Sequence, residues 1–85
     1  MRWPLKPDYY VIAEVEEDQK RYYWEEWSRS WTWEFKNATR YENFSKAVNI
    51  ASRLMELDWD GGESIRILGI SGKRVVEVLM PEEYA

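Results

Sequence analysis

From Tyr9 to Glu16 the chain alternates. Tyr9, Val11, Ala13 and Val15 point one way, and Tyr10, Ile12, Glu14 and Glu16 the other, which is the period of a β-strand. Glu17-Asp18-Gln19 is polar and predicts a turn. Lys20 to Trp27 is rich in aromatics and reads as a second strand. After a turn at Ser28-Arg29-Ser30, Trp31, Trp33 and Phe35 alternate with Thr32, Glu34 and Lys36 in a third. These strands make a meander over 9–36, and Asn37 begins a crossing segment. Over 43–57, Phe44, Ala47, Val48, Ala51, Leu54 and Met55 recur at the spacing of one helix stripe. Asn43 and Ser45 are both competent N-caps, and Gly61-Gly62 halts the helix. Over 63–80, Ser64 to Ile70 and Lys73 to Met80 are β-branched and apolar, separated by a two-residue turn at Ser71-Gly72 and closed by Pro81. Residues 1–8, with Pro4 and Pro7, form an extended lead-in. The order βββαββ predicts one α+β domain over 1–85: an antiparallel sheet of a three-strand meander plus a C-terminal hairpin, with one helix packed on one face.

Turn geometry then divides the side chains between the faces. A first turn centred on Asp18 sets Ile12 against Trp24, Ala13 against Tyr23 and Glu14 against Tyr22. A second turn centred on Arg29 sets Trp27 against Trp31, Glu25 against Trp33 and Tyr23 against Phe35. One face then collects Tyr9, Val11, Ala13, Val15, Tyr23, Trp27, Trp31, Trp33 and Phe35, and should receive the helix. The other collects Tyr10, Ile12, Tyr22 and Trp24, rimmed by Glu14, Glu26, Glu34 and Lys36. An antiparallel sheet covered on one side shows water mostly polar groups. Large apolar residues on the open side therefore mark a candidate interaction surface. Three bland readings compete: these residues pack against Trp3 and Leu5 of the lead-in, they form a homodimer interface, or the register has slipped. Glu25 on the apolar face is a sign of a bulge or a slip.

Composition narrows the function. Of the fourteen residues from Tyr22 to Phe35, seven are aromatic and four are tryptophan. Tryptophan and tyrosine are enriched among the residues that dominate binding energy at interfaces. The 85 residues contain no histidine and no cysteine, the commonest general bases, nucleophiles and soft metal ligands. A chain this short buries only roughly 60–65% of its unfolded surface. With no disulfide or zinc staple, burial of its aromatics must supply much of the stability. The absence of cysteine suits a reducing cytosol. MRWPLKPD has no apolar core of a signal peptide, and no apolar run reaches membrane-spanning length. These features predict a cytoplasmic protein without membrane attachment. The net charge of −4 disfavours nucleic acid, whose binding neutralises phosphates, and favours a protein partner with a basic surface.

The candidate chemical motifs are weaker than their structural explanations. Asp58-Trp59-Asp60-Gly61-Gly62-Glu63 resembles the start of a calcium loop, but Gly62 stands where a third acidic ligand belongs. A helix stop followed by a turn accounts for it, so no metal or other cofactor is expected. Glu25 and Glu26 are strand neighbours pointing to opposite faces, so they cannot converge as a catalytic carboxylate pair. Ser28, Ser30, Ser45 and Ser71 lack an activating histidine and suit turns and caps. Gly69 and Gly72 bracket a hairpin rather than opening a helix, so no phosphate loop is present. No enzymatic activity is expected. Lys20, Arg21, Arg29 and Arg40 are dispersed among glutamates, which weakens a single-stranded nucleic-acid reading. A sugar platform on Tyr10, Tyr22 and Trp24 needs no charge and remains an alternative.

Four elements between Tyr9 and Leu54 resemble small proteins encoded by phages and mobile elements. They are the strand Tyr10-Val11-Ile12, the aromatic hairpin Tyr22-Tyr23-Trp24, the short segment Ala38 to Tyr41, and the helix start Phe44-Ser45-Lys46-Ala47. The tryptophan density from Trp24 to Trp33 departs from that pattern. Some small acidic proteins of this kind bind and block a host protein, CRISPR effectors included. The resemblance implies an inhibitor or adaptor. The expectation is a small acidic protein-binding module with Tyr10, Ile12, Tyr22 and Trp24 as anchors and Glu14, Glu26 and Glu34 as a steering rim. The alternatives are a homodimeric structural protein using that face and an aromatic-platform carbohydrate-binding module.

Overall fold

The alternating stretch Tyr9–Val15 forms β1, the central strand of a five-stranded antiparallel sheet. The computed structural model describes residues 6–16, 20–57 and 64–84. β2 (Arg21–Glu25), β3 (Ser30–Thr32), α1 (Phe44–Leu57), β4 (Ile65–Ser71) and β5 (Arg74–Leu79) follow. In space the strands run β3-β2-β1-β4-β5. The expected α+β architecture is what forms: one antiparallel sheet with a single helix packed on it. The predicted turn at 17–19, the Gly61-Gly62 helix stop and the calcium-like segment 58–63 lie outside the described residues.

The first hairpin has the expected register, with Ala13 opposite Tyr23 and Glu14 opposite Tyr22. The second does not. Tyr23 pairs with Thr32, Trp24 with Trp31 and Glu25 with Ser30. The cause is a longer turn, Glu26 to Arg29, placed earlier than expected. The Arg29 N–H donates to the Glu26 carbonyl at 3.1 Å. The Ser28 hydroxyl donates to the Glu25 carboxylate and lies 2.7 Å from the Ser30 hydroxyl. Arg29 adopts a φ of 54°, a left-handed conformation that few non-glycine residues take. Slipping a ladder by an odd number of residues turns every later side chain to the opposite face. Trp31 therefore stacks edge-on against Trp24, ring centroids 5.5 Å apart. The third strand also ends at Thr32, and Phe35–Asn37 coils into a 3₁₀ turn instead of extending it.

The chain then wedges back into the sheet. The part of β1 that precedes Ala13 is not paired with β2. Tyr10 instead exchanges two backbone hydrogen bonds with Tyr41, at 2.7 and 2.8 Å. The Thr39 N–H donates to the Trp24 carbonyl at 3.0 Å, and its hydroxyl accepts from the Glu26 N–H at 2.7 Å. Backbone groups left over where two strands diverge are satisfied by this crossing segment.

Two apolar clusters result, one on each side of the sheet. On the helix side, Ala47, Val48 and Ala51 of α1 are buried with Ile12, Tyr41, Ile65 and Ile67, and Tyr10, Trp24, Trp31, Phe44, Leu54 and Met55 pack against them. The helix stripe is the one its spacing predicts, and Asn43 is the N-cap: its Oδ1 accepts from the Lys46 N–H at 3.2 Å. The sheet face it covers is the reverse of the expected one. α1 lies over Tyr10, Ile12 and Trp24, not over Tyr9, Val11 and Ala13. On the other side Val11, Ala13, Leu68 and Ile70 are buried with Ala38, and Tyr9, Tyr23 and Phe35 pack against them.

The C-terminal hairpin turns at Gly72-Lys73, one residue later than expected, with Ser71 opposite Arg74. Gly72 has a φ of 64°, and glycine at the first central position suits a type II′ turn. The Gly72 N–H donates to the Asp8 carboxylate at 2.9 Å, and the Asp8 N–H to the Ile70 carbonyl at 2.7 Å. A bulge between Gly69 and Ile70 shifts the β4–β5 register. After β5, Pro81–Glu83 forms a 3₁₀ turn that carries Tyr84 onto Phe44, ring centroids 5.1 Å apart, with Tyr10 on Phe44 at the same separation.

Candidate functional site on the hairpin edge

The expected anchors do not share an open surface. Ile12 is fully buried under α1, and Tyr10 and Trp24 are half-buried beside it. Tyr22 keeps part of its surface, in a cleft of about 400 Å³ formed with Trp31, Thr32 and Trp33. The acidic rim is likewise dispersed. Glu26 accepts a hydrogen bond from the Tyr41 hydroxyl at 2.9 Å. Glu34 pairs with Lys36 at 3.5 Å, both largely exposed. Glu14 is half-buried between Tyr22 and Ile65 on the neighbouring strands. The physical reason is that both faces of β1 are apolar, so alternation could not say which one the helix takes.

What the structure exposes is a different pair of tryptophans. Trp27, in the Glu26–Arg29 turn, is 84% exposed, and Trp33, just past β3, is 74% exposed. They flank a three-residue edge strand, whose ends lie roughly 10 Å apart at an ordinary strand rise. The site is rigidly based. Trp31 and Trp24 stack beneath it, the serines brace the turn, and Thr39 ties β2 to the crossing segment. The sequence assigned Trp27 and Trp33 to the covered face. The signal that could have found them is the Ser28/Ser30 doublet, which favours a turn closed by side-chain hydrogen bonds.

A second cleft, about 510 Å³, opens between α1 and the same turn, lined by Trp24, Glu26, Arg29, Ile50, Arg53, Leu54 and Leu57. Glu26, one of its lining residues, is the acceptor of the Tyr41 hydroxyl. Burial first, then the hydrogen bond and the charge of Glu26, hold the Tyr41 hydroxyl well above the usual tyrosine value of 10.0. The Trp24 indole N–H is buried without an acceptor at ordinary geometry. It lies near enough to that hydroxyl to oppose the rise. Tyr10 is also raised, by burial and by the charge of Glu77. A tyrosine that keeps its proton longer when folded stabilises fully below its unfolded pKa, and loses that contribution as pH climbs above it. The urea midpoint is therefore expected to be level up to about pH 10 and to fall beyond it. Tyr41→Phe should flatten much of that fall while lowering stability at neutral pH.

The remaining chemistry is sparse. Arg40 lies over the Tyr9 ring at 4.7 Å, beside a shallow cleft bounded by Asp8 and Lys46. Among the described residues no three acidic side chains gather as metal ligands would, and no helix is long and apolar enough to cross a membrane. No family model matches this chain, and no curated protein or solved structure is significantly similar to it.

Proposed function

We propose that this chain is a binding module for another protein, engaged through the β2–β3 edge with Trp27 and Trp33 as its anchors. The observation that carries the reading is the exposure of two tryptophans, 84% and 74%, one in the turn before the edge strand β3 and one just past its end. Exposed tryptophan has a high cost in water and a high return when desolvated against a partner. Tyr22 and Trp31 line the adjoining cleft and extend the surface. The net charge of −4 favours a partner with a basic face. This charge acts through the whole chain, because Glu26 and Glu34 are engaged locally.

The likeness to phage-type small proteins supports a narrower form: an inhibitor or adaptor that acts in the cytosol on a host protein. A chain without cysteine suits that compartment. The test is affinity capture from host lysate with the wild type beside a Trp27→Ser/Trp33→Ser variant, followed by measured affinity for the captured protein. Both side chains are exposed, so the variant should fold, with an unchanged circular dichroism spectrum and Tm. Affinity should drop at least roughly a hundredfold. A folded variant that binds equally well moves the site elsewhere. Tryptophan fluorescence that shifts with glycans, and not with any captured protein, replaces the reading by a sugar platform.

A further inference from the structure

We infer that the outer edge of β5 pairs with the same edge of a second copy, joining two sheets into one. β5 is the last strand of the sheet, and its far side has no strand partner among the described residues. Such an edge presents a row of free N–H and C=O groups, a template for a further strand. Sheet edges are commonly protected by charge, by proline or by very short strands. This one runs for six residues, and carries Val75 at 39% exposure and Val78 at 57%, with Met80 beyond at 38%.

The sequence of the edge is self-complementary. Val75 lies opposite Ile70, and Val78 opposite Leu68. The bulge at Gly69/Ile70 thus places both valines on the face turned away from α1, despite their odd spacing. In an antiparallel pairing about a two-fold axis, Val75 of each copy meets Val78 of the other. Four valines then form one continuous apolar patch, two cross-strand pairs that shield each other from water.

Charge sets the direction. Lys73, in the turn, and Arg74, the first residue of β5, lie at one end of the strand, while Glu82 and Glu83 follow the other. All four are exposed, and none has an ion-pair partner among the described residues. Antiparallel pairing of two copies lays the basic end of each beside the acidic end of the other, twice. Parallel pairing would set like charges together. This surface lies on the sheet edge opposite the Trp27/Trp33 edge, so it leaves the proposed partner site open and stands independently of it.

Sedimentation of the wild type over a concentration series tests the inference. A monomer–dimer equilibrium is expected, with a dissociation constant of roughly 0.1 mM or tighter. It should weaken as salt screens the end charges. Val75→Lys/Val78→Lys should raise that constant at least roughly tenfold. Lys73→Glu/Arg74→Glu should also weaken the dimer, and adding Glu82→Lys/Glu83→Lys to that chain should restore it. These positions are on the surface, and circular dichroism confirms folding of each variant. A wild type that stays monomeric up to roughly 1 mM overturns the inference, and so does a dimer that the valine variant leaves intact.

Discussion

Replacing Ile12 by serine should unfold the protein near physiological temperature. Ile12 has no solvent exposure and lies at the centre of the cluster beneath α1, directly across from Ile67 on β4. The substitution removes most of a buried aliphatic side chain, leaves a cavity and introduces a hydroxyl. Truncating a buried isoleucine costs about 2–5 kcal/mol, and a buried hydroxyl without a partner about 1–3 more. A domain of this length has a total stability of roughly 4–13 kcal/mol. Most of that margin is lost. Chemical denaturation of the variant should show a transition at much lower urea, or none. The same substitution would be harmless if Ile12 sat on an open face, so a folded variant of unchanged midpoint would refute the placement of the helix.

Ala51→Asp should be at least as damaging, for a complementary reason. Ala47 and Ala51 have no exposure, and they are the points where α1 meets the sheet. Small side chains there let the helix lie close. A carboxylate at 51 would be buried among Ile65, Ile67 and Val48, with no cation in that cluster to pair with it. An unpaired buried charge costs several kcal/mol even after relaxation and water entry. The group would keep its proton instead, its pKa raised by desolvation. The variant should therefore regain some helicity as pH drops below neutral. That pH response distinguishes a buried charge from simple loss of helix propensity. Ala51→Ser, which adds one small hydroxyl, should be far milder.

These positions also show how far the chain could be read from its pattern. The helix was legible to within a residue or two, because Phe44, Ala47, Val48, Ala51, Leu54 and Met55 leave no other stripe. The first hairpin was legible in register. The C-terminal hairpin was legible except for a one-residue displacement of its turn towards Gly72-Lys73. The second hairpin failed at one place. Ser28 and Ser30 close a turn over Glu26–Arg29, and the left-handed backbone at Arg29 has no glycine to announce it. From there the faces of Trp27, Trp31 and Trp33 were inverted. Trp31 remains under the helix, but on the Trp24 side of the sheet and not the Tyr23 side, while Trp27 and Trp33 moved out to solvent.

Which side the helix takes was unreadable for a different reason. In most covered antiparallel sheets one face is polar and settles the matter. Here β1 is apolar on both faces, because Ala38 and Phe35 return to cover the second one. The crossing segment holds a short, polar-looking stretch of sequence, yet it supplies Tyr41 to one cluster and Ala38 to the other. Its pairing with Tyr10 and Trp24 is long-range, and no local rule of periodicity anticipates it.

The placement of β1 at the centre also governs how the chain reaches its fold. Its longest ladder joins it to β4, across most of the length of the polypeptide. Contacts so far apart in sequence are entropically slow to form. The β2–β3 turn and α1 are local, and can be structured early. Until β1 and β4 meet, each offers a bare apolar strand to other chains. Synthesis at low temperature, or with slow translation, should give the ladder time to close and raise the soluble yield.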